Sequence, residues 1–263
     1  MNIEDRYIDE GYRLVWHDEF DGENLNTDDW NVEEHESGWV NAELQSYPPL
    51  ENGNIKLKDS MLVIKPHIER VNTDGTRQIT SGRISTQGKH DFTYGRFEAR
   101  AKVPKGKGYL PAFWLMATDE DKHGQWPKCG EIDIMEVMGH DTSASYHTIH
   151  YGYDMGSGHR ESQGAKQLSD DAFSEEFHVF RLDWEEGKLT WFVDDEEVYS
   201  TSEWYAGTDA EHVYPYPAPF NHDFYVILNL AVGGSWVGYP DEEVYVHMEE
   251  DSFEIDYVRV YQK

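Results

Sequence analysis

Residues 130–137 read GEIDIMEV, a stretch that sets three carboxylates, Glu131, Asp133 and Glu136, among the apolar residues Ile132, Ile134, Met135 and Val137. Side chains on a strand alternate between faces, so Glu131 and Asp133 point one way while Ile132 and Ile134 point the other. Strict alternation would then send Glu136 to the apolar face, where an unpaired carboxylate is very costly. One extra residue inserted as a β-bulge, at Ile134 or Met135, removes the conflict: Glu136 rejoins the acids and Val137 returns to the core. The stretch is therefore expected to be a bent strand that aims three acids at one place.

The same alternation extends through the chain. In GRFEARAKV (95–103), Phe97, Ala99, Ala101 and Val103 alternate with charged residues, giving one core face and one polar face. HVFRLDW (178–184) alternates through Phe180, Leu182 and Trp184, and the turn EEGK leads into KLTWFVD (188–194), so a hairpin is expected. FYVILNLAV (224–232) is apolar almost throughout, as a central strand covered on both faces would be, and FEIDYVRVYQ (253–262) closes the chain as another strand. Helical periodicity is nearly absent; DAFSEEF (171–177) suggests one short turn. With no linker, low-complexity block or internal repeat, residues 1–263 read as a single antiparallel β-sandwich.

Composition narrows the partners. The 263 residues hold 22 basic and 52 acidic side chains, a net charge of −30, which makes nucleic acid and anionic membrane surfaces poor partners and suits an uncharged substrate. The acid runs EDRYIDE (4–10), DDEE (194–197) and MEEDS (248–252) are expected to be solvated surface. Nine Trp and seventeen Tyr argue against disorder. The single Cys129 excludes an intrachain disulfide and any multi-cysteine metal site; it is expected to be a buried thiol, although its place two residues before Glu131 raises a nucleophilic alternative. No apolar run reaches membrane-spanning length and no secretory leader is visible.

Two carboxyl groups flanking a scissile bond are the working parts of a glycosidase, and a third can hold the two proton affinities apart. Three acids alone leave a calcium site or a solvated acidic strand open as alternatives. The surrounding aromatics favour carbohydrate: Trp126 beside the acids, and Trp39, Tyr47 and Trp236 in polar, loop-like settings where sugar C–H faces could pack. Other chemistries lack their residues. His147 and His150 fall on opposite faces of a strand and cannot chelate together, and HExxH, GxSxG and phosphate-loop patterns are absent.

At this point the chain resembles the family 16 glycoside hydrolases over nearly its whole length. GEIDIMEV is similar to their active strand in its ExDxxE form. LVWHDEFDG (14–22), NAELQSY (41–47), SGRISTQGK (81–89), YGRFEARAKVPKGKG (94–108), PAFWLM (111–116), TIHYG (148–152), PFNHDFYVILNLAVGGSW (219–236) and IDYVRVYQ (255–262) follow in family order. The resemblance is strongest to laminarinases, and it implies a β-jelly-roll sandwich whose concave sheet forms an open cleft. It also implies a retaining endo-β-1,3-glucanase with Glu131 as nucleophile, Asp133 as assisting acid and Glu136 as general acid/base. Trp126 is implied as a sugar platform, Asn41 and Arg83 as hydroxyl binders, His150 as a contact of Glu136 or of the sugar beyond the cleavage point, and Trp114 as cleft floor. Glu43 and Gln45 are weaker candidates, sharing a face with Asn41 if that stretch is extended. A structural Ca2+ is implied at Glu19, Gly53 and Asp256.

The family's usual Trp in this region is Leu110 here, with Tyr109 beside it, so a platform is missing or moved. Mixed-linkage β-1,3-1,4-glucan and a non-catalytic glucan-binding module are the alternative readings, and the charge disfavours sulfated galactans. The chain is expected to act as a monomer on a polysaccharide, with secretion inferred from that substrate.

Overall fold

The computed structural model describes residues 3–263, in which two eight-stranded antiparallel sheets pack face to face and a separate three-stranded sheet joins Gln45–Ser46, Arg77–Thr80 and His67–Val71. The first runs, in spatial order, His159–Gln167, Ala144–Gly152, Glu131–Glu136, Tyr109–Ala117, Phe224–Val232, Arg83–Ser85 and Asn31–Val32, with Asp91–Phe92 also paired to Phe224–Val232. The second runs Glu196–Thr201, Lys188–Val193, His178–Glu185, Gly95–Lys102, Phe253–Gln262, Leu62–Ile64 and Ile55–Leu57, with Arg13–Asp18 also paired to Phe253–Gln262. Neighbours in space are often distant in sequence, as in a jelly roll.

The alternation foreseen in the sequence fills the space between the sheets. Phe97, Phe180, Leu182, Trp184 and Trp191 from the second sheet meet Phe113, Leu115, Ile132 and Phe224 from the first, all of them buried. The Trp184 and Phe224 rings meet edge to face, with centroids 5.2 Å apart. All nine residues of Phe224–Val232 are buried, as expected for a central strand. Glu185 pairs with Lys188 across a two-residue turn in which Gly187 takes φ +77°, a left-handed conformation costly for other residues. At the sandwich edge, a Cβ on Gly164 would lie 2.3 Å from the Tyr199 ring, so only glycine admits this packing.

Three expectations need correction. EDRYIDE is not merely solvated: Tyr7 and Tyr12 are buried against Tyr261, and the Tyr7 hydroxyl donates to Glu98 Oε2 at 2.5 Å. The polar face of Gly95–Lys102 is in consequence covered, and Arg96 and Glu98 are buried. The other acid runs are partly engaged, with Asp194 accepting from His178 and Asp251 from Tyr109. A six-residue helix, Glu242–His247, went unforeseen; Asp241 caps it by accepting from the Val244 N–H. DAFSEEF forms the short turn expected of it, closed by Glu175 N–H to the Ala172 carbonyl.

Candidate active site

The bulge exists, at Ile134. Against the Tyr109–Ala117 strand, Asp133 pairs with Trp114 and Met135 with Phe113, so Ile134 has no partner opposite it. Ile132, Ile134, Met135 and Val137 are fully buried, while Glu131 and Glu136 are half-buried on the other face with Asp133 between them. A bulge leaves backbone groups without ladder partners, and here side chains supply them. Trp191 Nε1 reaches across the sandwich to donate to the Asp133 carbonyl at 3.0 Å, and His147 Nδ1 lies 2.8 Å from the Ile134 carbonyl. Burial pushes the His147 imidazole down to about 4, so it is neutral near pH 7 and the proton on Nδ1 serves that carbonyl. His147 thus faces the core and His150 the cleft, as alternation required.

The acids are surrounded unequally. Glu131 Oε2 accepts from Trp126 Nε1 at 2.7 Å. His150 Nε2 lies 3.2 Å from Asp133 Oδ2 and 3.9 Å from Glu131 Oε1, so it contacts these two acids rather than Glu136. The Asp133 approach is an ion-pair contact and not an aligned hydrogen bond, for Oδ2 has no hydrogen-bond partner. Despite the burial, which acts to lower it, the acid charges push His150 up to about 10 and keep it cationic. Burial first, then like charge from Asp133, pushes both Glu131 and Glu136 upward. Only Glu131 has an indole N–H against it, and no protein donor reaches the Glu136 carboxyl among the described residues. The arrangement favours an anion at Glu131 and the proton at Glu136.

Sheet register extends the site across the strands. Tyr146, Glu136, Ala112, Asn229 and Arg83 form one row over five strands, about 19 Å at the usual spacing. Arg83 is buried, its Nε paired with Glu33, with its guanidinium 4.9 Å from the Trp114 ring centroid and 5.2 Å from that of Trp39. Trp39 in turn stacks on His35 at 3.5 Å. Trp114 is half-buried and donates to Asn229 Oδ1 at 2.8 Å, which fits its place on the floor. Asn41 is exposed, and its carbonyl accepts from Ser235 N–H, joining its loop to the one carrying Trp236. Trp236 is 44% exposed, edge-on to Tyr146 at 5.4 Å, and so stands at the Glu136 end.

Glu43 and Gln45 do not share an extended stretch with Asn41, because Asn41 and Ala42 both take left-handed φ values of +52° and +57°. Glu43 and Gln45 are instead buried and bonded to each other, and Gln45 accepts from Val232 N–H. Tyr109 does not replace the absent platform: it is fully buried and donates to Asp251, while Leu110 faces the cleft side. Cys129 is inert, since burial pushes its thiol up to about 12.

The expected calcium ligands do not fit an ion as arranged. Both Glu19 oxygens accept from Arg259, at 2.9 and 2.7 Å, and Asp256 pairs with Arg100 at 2.7 Å. The Lys56 ammonium lies beside Gly53. Both Glu19 oxygens are taken by Arg259 and one Asp256 oxygen by Arg100, so an ion here would have to exchange with these guanidinium groups. The sequence reading also missed His159, His35, Glu33 and Tyr146. The short Gly-rich connection after Gly152 could have signalled His159, since a tight return sets it opposite that glycine.

A bulged strand presenting unequal carboxyl groups to an aromatic-lined cleft on a β-sandwich defines a polysaccharide-cleaving enzyme of the two-carboxylate kind. Residues 51–258 match Glycosyl hydrolases family 16, and the chain belongs to that family. It is 37% identical to a glucan endo-1,3-beta-glucosidase of Cryptopygus antarcticus over 259 residues, covering 94% of this chain and 90% of that protein. It is 35% identical to a beta-glucanase of Rhodothermus marinus, covering 95% of this chain and 85% of that protein. The structure superposes on the laminarinase catalytic domain of Thermotoga maritima MSB8 with a TM-score of 0.79 and 37% identity, covering 96% of this chain and 98% of that one.

Proposed function

We propose that this chain is an endo-acting β-1,3-glucanase that cleaves laminarin-type glucans with retention. The observation that carries the reading is the Ile134 bulge, which puts Glu136 beside Glu131 and Asp133 while leaving it the only one of the three without a cationic or N–H partner. Glu136 gives its proton to the glycosidic oxygen as Glu131 attacks the anomeric carbon and the leaving chain departs. Glu136, now ionised, takes a proton from water, which attacks the glucosyl–Glu131 ester and frees the carboxylate. Trp126 Nε1–H holds Oε2 of Glu131, leaving Oε1 as the attacking atom. Asp133 holds the cationic His150 beside Glu131, and that imidazolium, with the Trp126 N–H, favours the ionised Glu131 against the opposing charge of Asp133. Asn41 and Arg83 serve sugar hydroxyls, and Trp126, Trp114 and Trp236 serve sugar faces.

Leu110 in place of a large ring widens the tolerance for linkage, so mixed-linkage glucan is a secondary substrate. One chain supplies all three acids and the rings around them, which suits a monomer, and a polymer substrate found outside cells supports secretion. The test is reducing-sugar release from laminarin, barley β-glucan, agarose and κ-carrageenan, run beside Glu131→Gln. Release should be strongest from laminarin, weaker from barley glucan, and lost in the variant. Laminarin that is retained on an affinity gel but never cut would instead make the protein a glucan-binding module.

A further inference from the structure

The strand pair Ala144–Gly152 and His159–Gln167 brings His150, His159 and Glu161 together at the edge of the cleft. His150 stands directly opposite Glu161 in the ladder, and His159 lies two residues from Glu161, so all three side chains share one face. His150 Nδ1 and His159 Nε2 are 2.9 Å apart, Glu161 Oε2 is 3.9 Å from the same Nδ1, and one ligand atom from each residue falls within 4.8 Å of the others. We propose that His150, His159 and Glu161 form a site for a divalent first-row transition ion, zinc, nickel or copper, whose binding reversibly inhibits hydrolysis.

Three features support this. Ligands about 2.1 Å from the ion are about 3.0 Å apart at the right angles copper or nickel prefer and about 3.4 Å apart at zinc's tetrahedral angles. The two imidazole nitrogens, 2.9 Å apart, therefore need to part by no more than about half an ångström. Imidazole nitrogens with one carboxylate suit these ions and disfavour calcium or magnesium. The ring of His150 is also oriented from behind: its other nitrogen faces Asp133 Oδ2 at 3.2 Å, and that buried oxygen has no hydrogen-bond partner. A carboxylate behind a ligating histidine is the usual support of such a ligand. The ion would displace the proton lying between the two imidazoles, which leaves for solvent so that His150 binds as a neutral ligand, and the exposed Glu161 is free to close the remaining gap.

Inhibition follows from position. The His159 ring lies 4.9 Å from the Trp126 ring, and Trp126 is bonded to Glu131. An ion with its remaining waters would take up space beside that platform and place two positive charges near the nucleophile. The inhibitory half of the proposal rests on the glucanase reading, whereas ion binding does not.

The experiment is calorimetric titration of the EDTA-treated, dialysed protein with zinc chloride, beside laminarin hydrolysis with and without zinc. One ion per chain is expected, with hydrolysis falling at least about tenfold and recovering on chelation. Glu161→Gln should hydrolyse laminarin normally in metal-free buffer but bind zinc about tenfold or more weakly. His159→Gln should lose the calorimetric site, and the copper-loaded wild type should show two nitrogen ligands by electron paramagnetic resonance. A wild type with no zinc site, or a site unchanged in both variants, overturns the proposal. Zinc binding by a protein that cuts no glucan would refute the glucanase reading and leave the metal site standing.

Discussion

Glu98 on the second sheet and Glu136 on the first are both carboxyl groups drawn into the sandwich, and their neighbourhoods differ in charge balance. Glu98 is fully buried, takes the Tyr7 hydroxyl, and lies 3.4 Å from Arg6 and 3.7 Å from Arg259. Beside it, Arg96 forks onto Asp183 with two contacts of 2.7 Å and onto Glu10 at 2.9 Å. On that face guanidinium groups answer the acids. Around Glu136, three acids share one imidazole and one indole, and the uncompensated charge appears as raised proton affinity. Compensated charge holds a segment in place; uncompensated charge retains a proton that can be given away.

The largest effect should come from the uncompensated side. Glu136→Gln is expected to lower kcat on laminarin by about 10⁴-fold, roughly 5.5 kcal/mol of barrier, because the leaving oxygen then departs unprotonated. A substrate with a good leaving group needs no such proton, so the first-turnover burst of aryl release from an activated aryl glucoside should be nearly spared, although hydrolysis of the ester still lacks its base. If both substrates slow equally, Glu136 is not the acid. The counterpart on the compensated face is Glu98→Leu, which strands Arg6, Arg259 and Tyr7. It should cost about 3–5 kcal/mol in urea unfolding and leave kcat per folded molecule unchanged. A loss of kcat without a loss of stability would break the contrast between the faces.

Between these extremes lies the bulge. Trp191→Phe keeps the ring in the core but removes the N–H that the Asp133 carbonyl accepts, leaving a buried acceptor unmet at a cost of about 1–3 kcal/mol. Because that bond also fixes where the strand bends, kcat on laminarin should fall about tenfold with KM little changed, and the activated aryl glucoside should again be spared. Equal losses on both substrates would make Trp191 a packing residue only.

Much of this was legible because strands announce themselves by alternation, and because an alternation broken at Ile134–Met135 has few physical remedies. The acids and their bulge were readable within residues 130–137, and the central strand from the unbroken apolar run at 224–232. What escaped depends on long-range partners. EDRYIDE looks solvated until residue 98 is known to lie beneath residue 7, and Glu19 looks like a calcium ligand until Arg259 is found beside it. Left-handed Asn41 and Ala42 reversed an extended reading that no apolar pattern contradicted. His159 and Tyr146 joined the site only through ladder register.

The raised affinity of Glu136 also bears on stability. The folded chain keeps a proton there that the unfolded chain gives up near the ordinary glutamate value of about 4.3. The native state therefore binds more protons than the unfolded one above that pH, and stability falls as pH rises until the folded Glu136 ionises. Glu136→Gln should unfold at a higher Tm than wild type at pH 8, with the gap closing toward pH 4. A gap independent of pH would mean that the carboxyl is not the source of the strain.

The smallest effect is expected at Glu19, Gly53 and Asp256. If arginines already satisfy these acids, removing calcium takes nothing from the folded state, and EDTA should leave Tm unchanged. Calcium that raised Tm would have to bind strongly enough to displace Arg259 from both oxygens of Glu19 and Arg100 from Asp256. That exchange would transfer two acids from the guanidinium-compensated set to a metal. A calcium-dependent Tm that disappears in Asp256→Asn would show that compensation on this face is divided between arginine and an ion.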